Sequence, residues 1–85
     1  MATYFFDLTD VDERLIDEDG RELPNIEAVK SVAIGEARSI ISHDAKEGVI
    51  DMRLSIAVRD EQGLEVHRLA FSDAVSAIEA VGRAF

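Results

Sequence analysis

The sequence predicts an α+β domain, built as hairpin, helix, hairpin and short helix, with a mainly antiparallel sheet carrying one long helix on one face. Three observations carry this expectation. The opening stretch Thr3–Leu8 (TYFFDL) is aromatic and alternating. A second alternating stretch runs from Met52 to Arg59 (MRLSIAVR). Between them lies an apolar pattern of helical period, bounded by Asn25 and Gly48. A chain of 85 residues suits a single domain, 1–85.

In the first strand, Tyr4, Phe6 and Leu8 share one face, and Phe5 and Asp7 share the other. The loop TDVDE follows, then the short apolar pair Leu15–Ile16. Asp17–Gly20 (DEDG) reads as a turn with glycine where a positive φ is needed. Arg21–Leu23 reads as a brief strand before Pro24.

The long helix is expected to start at Asn25, a strong N-cap, with Glu27 suiting the positive end of the helix dipole. Stepping 100° per residue places Ile26, Val29, Ala33, Ala37, Ile40 and Ile41 on one side. Lys46 and Gly48 mark the C-terminal end. The opposite side carries the small residues Ser31, Gly35 and Ser39. They are a second-ranked candidate seam for a homodimer, against the alternative of an ordinary solvated face.

In the second alternating strand, Met52, Leu54, Ile56 and Val58 face the core. Asp60–Gly63 (DEQG) closes a hairpin, and LEVHRLAF returns. The return strand changes parity. A bulge near His67–Arg68 would turn Leu64, Val66, Leu69 and Phe71 all inward; without it, Val66 and Ala70 lie outside. Ser72 or Asp73 then caps a last helix with the stripe Ala74, Ile78, Val81 and Phe85.

The formal net charge is −9, and it is uneven. Residues 1–27 hold nine acids against Arg14 and Arg21. Such an acidic end repels phosphate backbones and anionic lipid, so neither nucleic acid nor membrane is an expected partner. A basic protein partner or a divalent cation fits, and so does the plainer reading that the charge serves solubility. No cysteine is present, so a disulfide framework and thiolate metal sites are excluded. No basic-then-apolar leader opens the sequence and no apolar run reaches membrane-span length. The expected location is the cytoplasm.

Several short motifs then come together: YFFDL (Tyr4–Leu8); DGRELPN (Asp19–Asn25), leading into an Ala-rich helix; VRDEQG (Val58–Gly63); and Phe71 followed by Asp73 and Ala74. This chain resembles a family of short uncharacterised proteins frequent in rhizobia and related alphaproteobacteria, a domain of unknown function with the pattern YFF…DGxELP…VRDExG. The resemblance spans about residues 3–75. Members often carry His where this chain has Asp7, which weakens any role for a family histidine at that position. The resemblance implies domain boundaries and no established activity. It also implies that the C-terminal helix, expected over residues 72–85, is a variable addition beyond about Val75.

Motifs for chemistry are weak. Aligning Gly20 with the invariant glycine of a calcium loop puts Leu15 and Ile26 at the first and twelfth ligand positions, where neither can coordinate. Ser42, His43 and Asp44 are consecutive, so on a helix their side chains diverge and cannot form a relay. No Gly-rich loop precedes a helix. No catalytic, metal-binding or cofactor-binding residue is assigned, and no cofactor is expected.

The expected function is a non-catalytic protein-interaction or regulatory accessory module. The alternative is a self-associating structural protein, a homodimer with itself as its only partner. A small-molecule or cation-binding domain or enzyme ranks last. The candidate interaction surface is Phe5, with Ser55 and Ala57 as its shallow seat, covered by Ile78, Val81 and Phe85 of the last helix or by a second subunit; the alternative is a lone exposed Phe.

Overall fold

The computed structural model describes residues 1–48 and 51–74. It contains β1 (Ala2–Thr9), β2 (Arg14–Leu15), β3 (Arg21–Leu23), α1 (Ile26–Glu47), β4 (Ser55–Arg59) and β5 (Glu65–Ala70). A helix opens at Phe71 and is described through Ala74. The fold is α+β, with all strand pairs antiparallel. β1 pairs with β4 on one edge. On its other edge it meets β2 near its C-terminal end and β3 near its N-terminal end; β5 lies beyond β4.

The helix follows its local signals. Asn25 Oδ1 accepts the Ala28 N–H at 2.9 Å, and Glu27 stands in the first turn. Gly48 closes the helix at φ +86°, its N–H donating to the Ala45 and Asp44 carbonyls. Val29, Ala33 and Ala37 are buried against the sheet, with Ile40 and Ile41 packed beside them. Ile26 belongs to this stripe by angle but is exposed, because it lies in the first turn at the margin of the core.

Register places Phe6 opposite Val58 and Leu8 opposite Ile56, while Ile56 also faces Leu69. These residues meet α1 on one face of the sheet. Phe71 and Ala74 complete that core and are fully buried. Each large apolar side chain buried there contributes about 1.5–3 kcal/mol before conformational entropy is counted.

Two strand boundaries differ from expectation. Met52 is exposed and lies outside β4, because the Asp51 carboxylate captures the Arg53 N–H and guanidinium and holds a turn there. The hairpin forms at Asp60–Gly63. The Asp60 N–H bonds to the Leu64 carbonyl, and the Asp60 side chain accepts the N–H groups of Gln62 and Leu64. A register shift follows, from Arg59 opposite Glu65 to Val58 opposite His67. The extra residue is therefore Val66, slightly earlier than the expected His67–Arg68. Leu69 and Phe71 turn inward, as a bulge requires, but Leu64 and Val66 stay exposed because they precede the completed correction.

Candidate functional site

The outer face of the sheet is organised around Asp7. Strand alternation points Phe5, Asp7 and Thr9 away from α1, and register sets them opposite Arg59, Ala57 and Ser55. Arg14 joins the same face as the cross-strand partner of Thr9. The segment after β2 then curls back over the edge of β1, and Asp7 becomes fully buried.

A buried carboxylate needs partners for both oxygens. Arg59 Nε donates to Asp7 Oδ2 at 2.6 Å and Arg59 Nη2 to Oδ1 at 3.1 Å. Arg14 adds Nη2 at 2.7 Å and Nε at 3.1 Å, both to Oδ2. The Asp17 N–H donates to Oδ1 at 2.9 Å. Burial pushes the Asp7 carboxyl upward, but the Arg59, Asp17 and Arg14 hydrogen bonds outweigh it and hold the pKa at about 2. At neutral pH, Asp7 is thus ionised and saturated with donors. It is neither a general base nor a free metal ligand.

Asp17 is the second anchor. β2 and β3 leave a gap along β1, and the Phe6 N–H points into it. Asp17 Oδ2 accepts that N–H at 3.0 Å, standing in for a strand partner. Its other oxygen accepts the N–H groups of Asp19 and Gly20, and its carbonyl accepts Arg59 Nη2 at 3.2 Å. Burial raises the Asp17 carboxyl, but the N–H groups of Phe6, Gly20 and Asp19 outweigh it and hold it below the usual range. Among the described residues, every buried side-chain nitrogen and oxygen has a hydrogen-bond partner.

Stability should therefore fall in acid. Asp7 and Asp17 have depressed pKa values in the folded state, so their contribution is complete above the unfolded carboxylate pKa near 3.8 and is lost in stronger acid, for Asp7 as pH drops through about 2. For Asp7 alone, the shift from 3.8 to about 2 corresponds to roughly 2 kcal/mol. Urea midpoints between pH 7 and pH 2.5 are expected to drop over this window, and the acid-dependent part to shrink in Asp7→Asn.

Phe5 finds its cover within the chain. The Arg59 guanidinium lies 4.9 Å from the ring centroid, and the backbone of Gly20 lies on the ring edge. On the same face, register sets Arg59 directly opposite Phe5, Ala57 opposite Asp7 and Ser55 opposite Thr9. Ala74 packs into the core on the other face of the sheet. Ile78, Val81 and Phe85 lie outside the described residues. Ser31, Gly35 and Ser39 are exposed on α1, and nothing lies within 4 Å of a Cβ placed on Gly35.

Gly20 has two independent needs for glycine. Its φ is +71°, and a Cβ there would lie 2.8 Å from Thr3 Cγ2 and 2.9 Å from Phe5 Cε1. Gly20→Ala is expected to cost about 1–3 kcal/mol in urea unfolding, from backbone strain and displacement of Phe5.

The same segment leaves apolar side chains on the sheet edge. Val11, Leu15 and Ile16 are 74, 71 and 50 % exposed. Leu15 stands opposite Leu8, toward the α1 side, between two open grooves of about 400 and 320 Å³. Leu8 and Leu15 line both. Phe6, Ile16 and Ile40 extend one groove, and Leu54 the other.

Sequence reasoning missed the Asp7–Arg14–Arg59–Asp17 cluster. The available signal was parity: an acid directly after three aromatics in a strand, on the same face as an arginine of the paired strand. The burial that gives this pair its meaning comes from the irregular segment 16–20, which has no periodicity to read. Among the described residues, no group of three or more His, Cys, Asp or Glu side chains is arranged to hold a metal ion, and no helix is long and apolar enough to cross a membrane.

A small α+β sheet whose outer face is closed by its own ion cluster defines a compact domain of undetermined biochemical role. The chain belongs to the family described as a domain of unknown function, DUF6894, whose model matches residues 3–72. No curated protein and no solved structure matches it.

Proposed function

We propose that this domain is a cytoplasmic, non-catalytic interaction module, a regulatory accessory protein that acts by binding another protein. The observation that carries this reading is the exposure of Leu15 and Ile16 at the sheet edge, beside two grooves that Leu8 and Leu15 both line. Clustered exposed apolar residues rimmed by polar ones are the usual mark of a protein contact. The strongest ionisable cluster supports the same reading, since Asp7 spends its hydrogen-bonding capacity on Arg14, Arg59 and Asp17.

The test combines affinity capture from native cytosol with a mass measurement of the purified protein. A stoichiometric heterologous partner and a monomeric mass are expected. A dimeric mass with no other partner would replace this reading with self-association. Turnover of a small molecule would remove it.

A further inference from the structure

We infer that the Leu15 ridge is the docking site for an amphipathic, cationic segment of a partner protein, one that sets aliphatic side chains into the two grooves and Lys or Arg against their rims. This rests on the interaction-module reading and names the chemistry of its partner. The grooves supply the apolar half. They meet at Leu15 and share Leu8 as floor, so a segment crossing the ridge can place one aliphatic anchor on each side.

The rim supplies the sign. Asp10, Glu13 and Arg14 border one groove, and Asp17, Asp19, Arg21 and Glu36 border the other, so acids outnumber bases on each rim. The cations nearby are already engaged: Arg14 is held by Asp7, and Arg21 pairs with Glu36. Asp10, Glu13 and Asp19 make no ion pair among the described residues. Residues 10–20 carry six acids and only Arg14 as a base, so the uncompensated field over the apolar ridge is negative. A cationic occupant is attracted by that field, and an acidic one is rejected.

A second copy of this chain fits poorly. Its net charge is −9, and a twofold contact through Leu15 would bring the two acidic rims together. Open grooves on either side of a protruding leucine also suit a peptide better than an enclosed small molecule.

The probe is a twelve-residue helical peptide with Leu on one face and Lys on the other, together with its counterpart carrying Glu in place of Lys. Binding is followed by amide chemical shifts of the full chain. The Lys peptide should perturb Leu8, Leu15, Ile16, Glu36 and Ile40, and the Glu peptide should not. Leu15→Ser with Ile16→Ser leaves charge unchanged and alters only exposed positions; it should weaken binding about tenfold or more without lowering the melting temperature. Raising salt from 50 to 300 mM should weaken wild-type binding by a comparable factor, since exposed charges are screened over about 10 Å or less.

Shifts scattered over other acidic surfaces, or equal affinity in the Leu15→Ser/Ile16→Ser variant, would overturn the assignment. Equal binding of the Glu peptide would also overturn it. A captured native partner that still binds the double variant would remove this surface while leaving the interaction reading intact. A monomer that captures nothing but binds the peptide as described would remove the interaction reading alone.

Discussion

Asp7→Ala is expected to destabilise the domain by about 3–5 kcal/mol, because it strips the buried partner from two partly exposed guanidinium groups and from the Asp17 N–H. Asp7 receives both guanidinium groups and the Asp17 N–H, and it is fully buried. A domain of this size has a total stability of roughly 4–13 kcal/mol, so the loss is a large share. Arg59→Ala should come next, since the Arg59 side chain is the less exposed of the two and also bonds to the Asp17 carbonyl. Arg14→Ala should cost least, because that side chain is partly in water. Urea unfolding of the three variants gives the order. Equal small losses would mean that the cluster contributes no more than a surface ion pair.

Phe71→Ala should cost a similar amount, about 3–5 kcal/mol, by a different route. Phe71 is a large, fully buried side chain in the cluster formed by Val29, Ala33, Ala37, Ile56, Val58 and Ala74. Its N–H donates to the Leu54 carbonyl at 3.0 Å, which fixes the position where β5 turns into helix. Removing the ring opens a cavity among side chains that include three alanines, which have little reach to fill it. The two variants should separate by pH. The Phe71→Ala penalty should be nearly the same at pH 7 and pH 3, whereas the Asp7→Ala penalty should shrink at pH 3, where the unfolded wild-type carboxylate takes up a proton and the folded one stays mostly ionised.

Most of the fold was legible where a local rule had one answer. Asn25 and Gly48 mark the helix ends because a side-chain cap and a positive φ are local requirements. The core faces of β1 and β4 follow from alternation, and Phe6 does meet Val58. The edges of strands were less legible. An aspartate turn at Asp51 competes with Met52 for the start of β4, and the bulge falls at Val66 because hairpin geometry, rather than hydrophobicity, decides where the register corrects.

The outer face was only half legible, for a nonlocal reason. Alternation places Phe5 and Asp7 away from the main core, but periodicity gives no sign that the segment 16–20 packs against both. That segment does so through Asp17, whose carboxylate takes the orphaned N–H of Phe6, and through Gly20, whose missing Cβ admits the Phe5 ring. Once that segment is fastened, Leu15 and Ile16 are left on the edge with an acidic rim around them.

Asp7 and Asp17 should hold the irregular segment after β2 as firmly as the sheet itself. Amide hydrogen exchange at Asp17 tests it most directly, because that N–H lies outside every strand and donates to buried Asp7 Oδ1. Exchange as slow as that of the β1–β4 ladder, accelerated strongly in Asp7→Ala while Val58 stays protected, is the predicted result. Exchange at Asp17 as fast as at exposed Asp12 in the wild-type protein would contradict it.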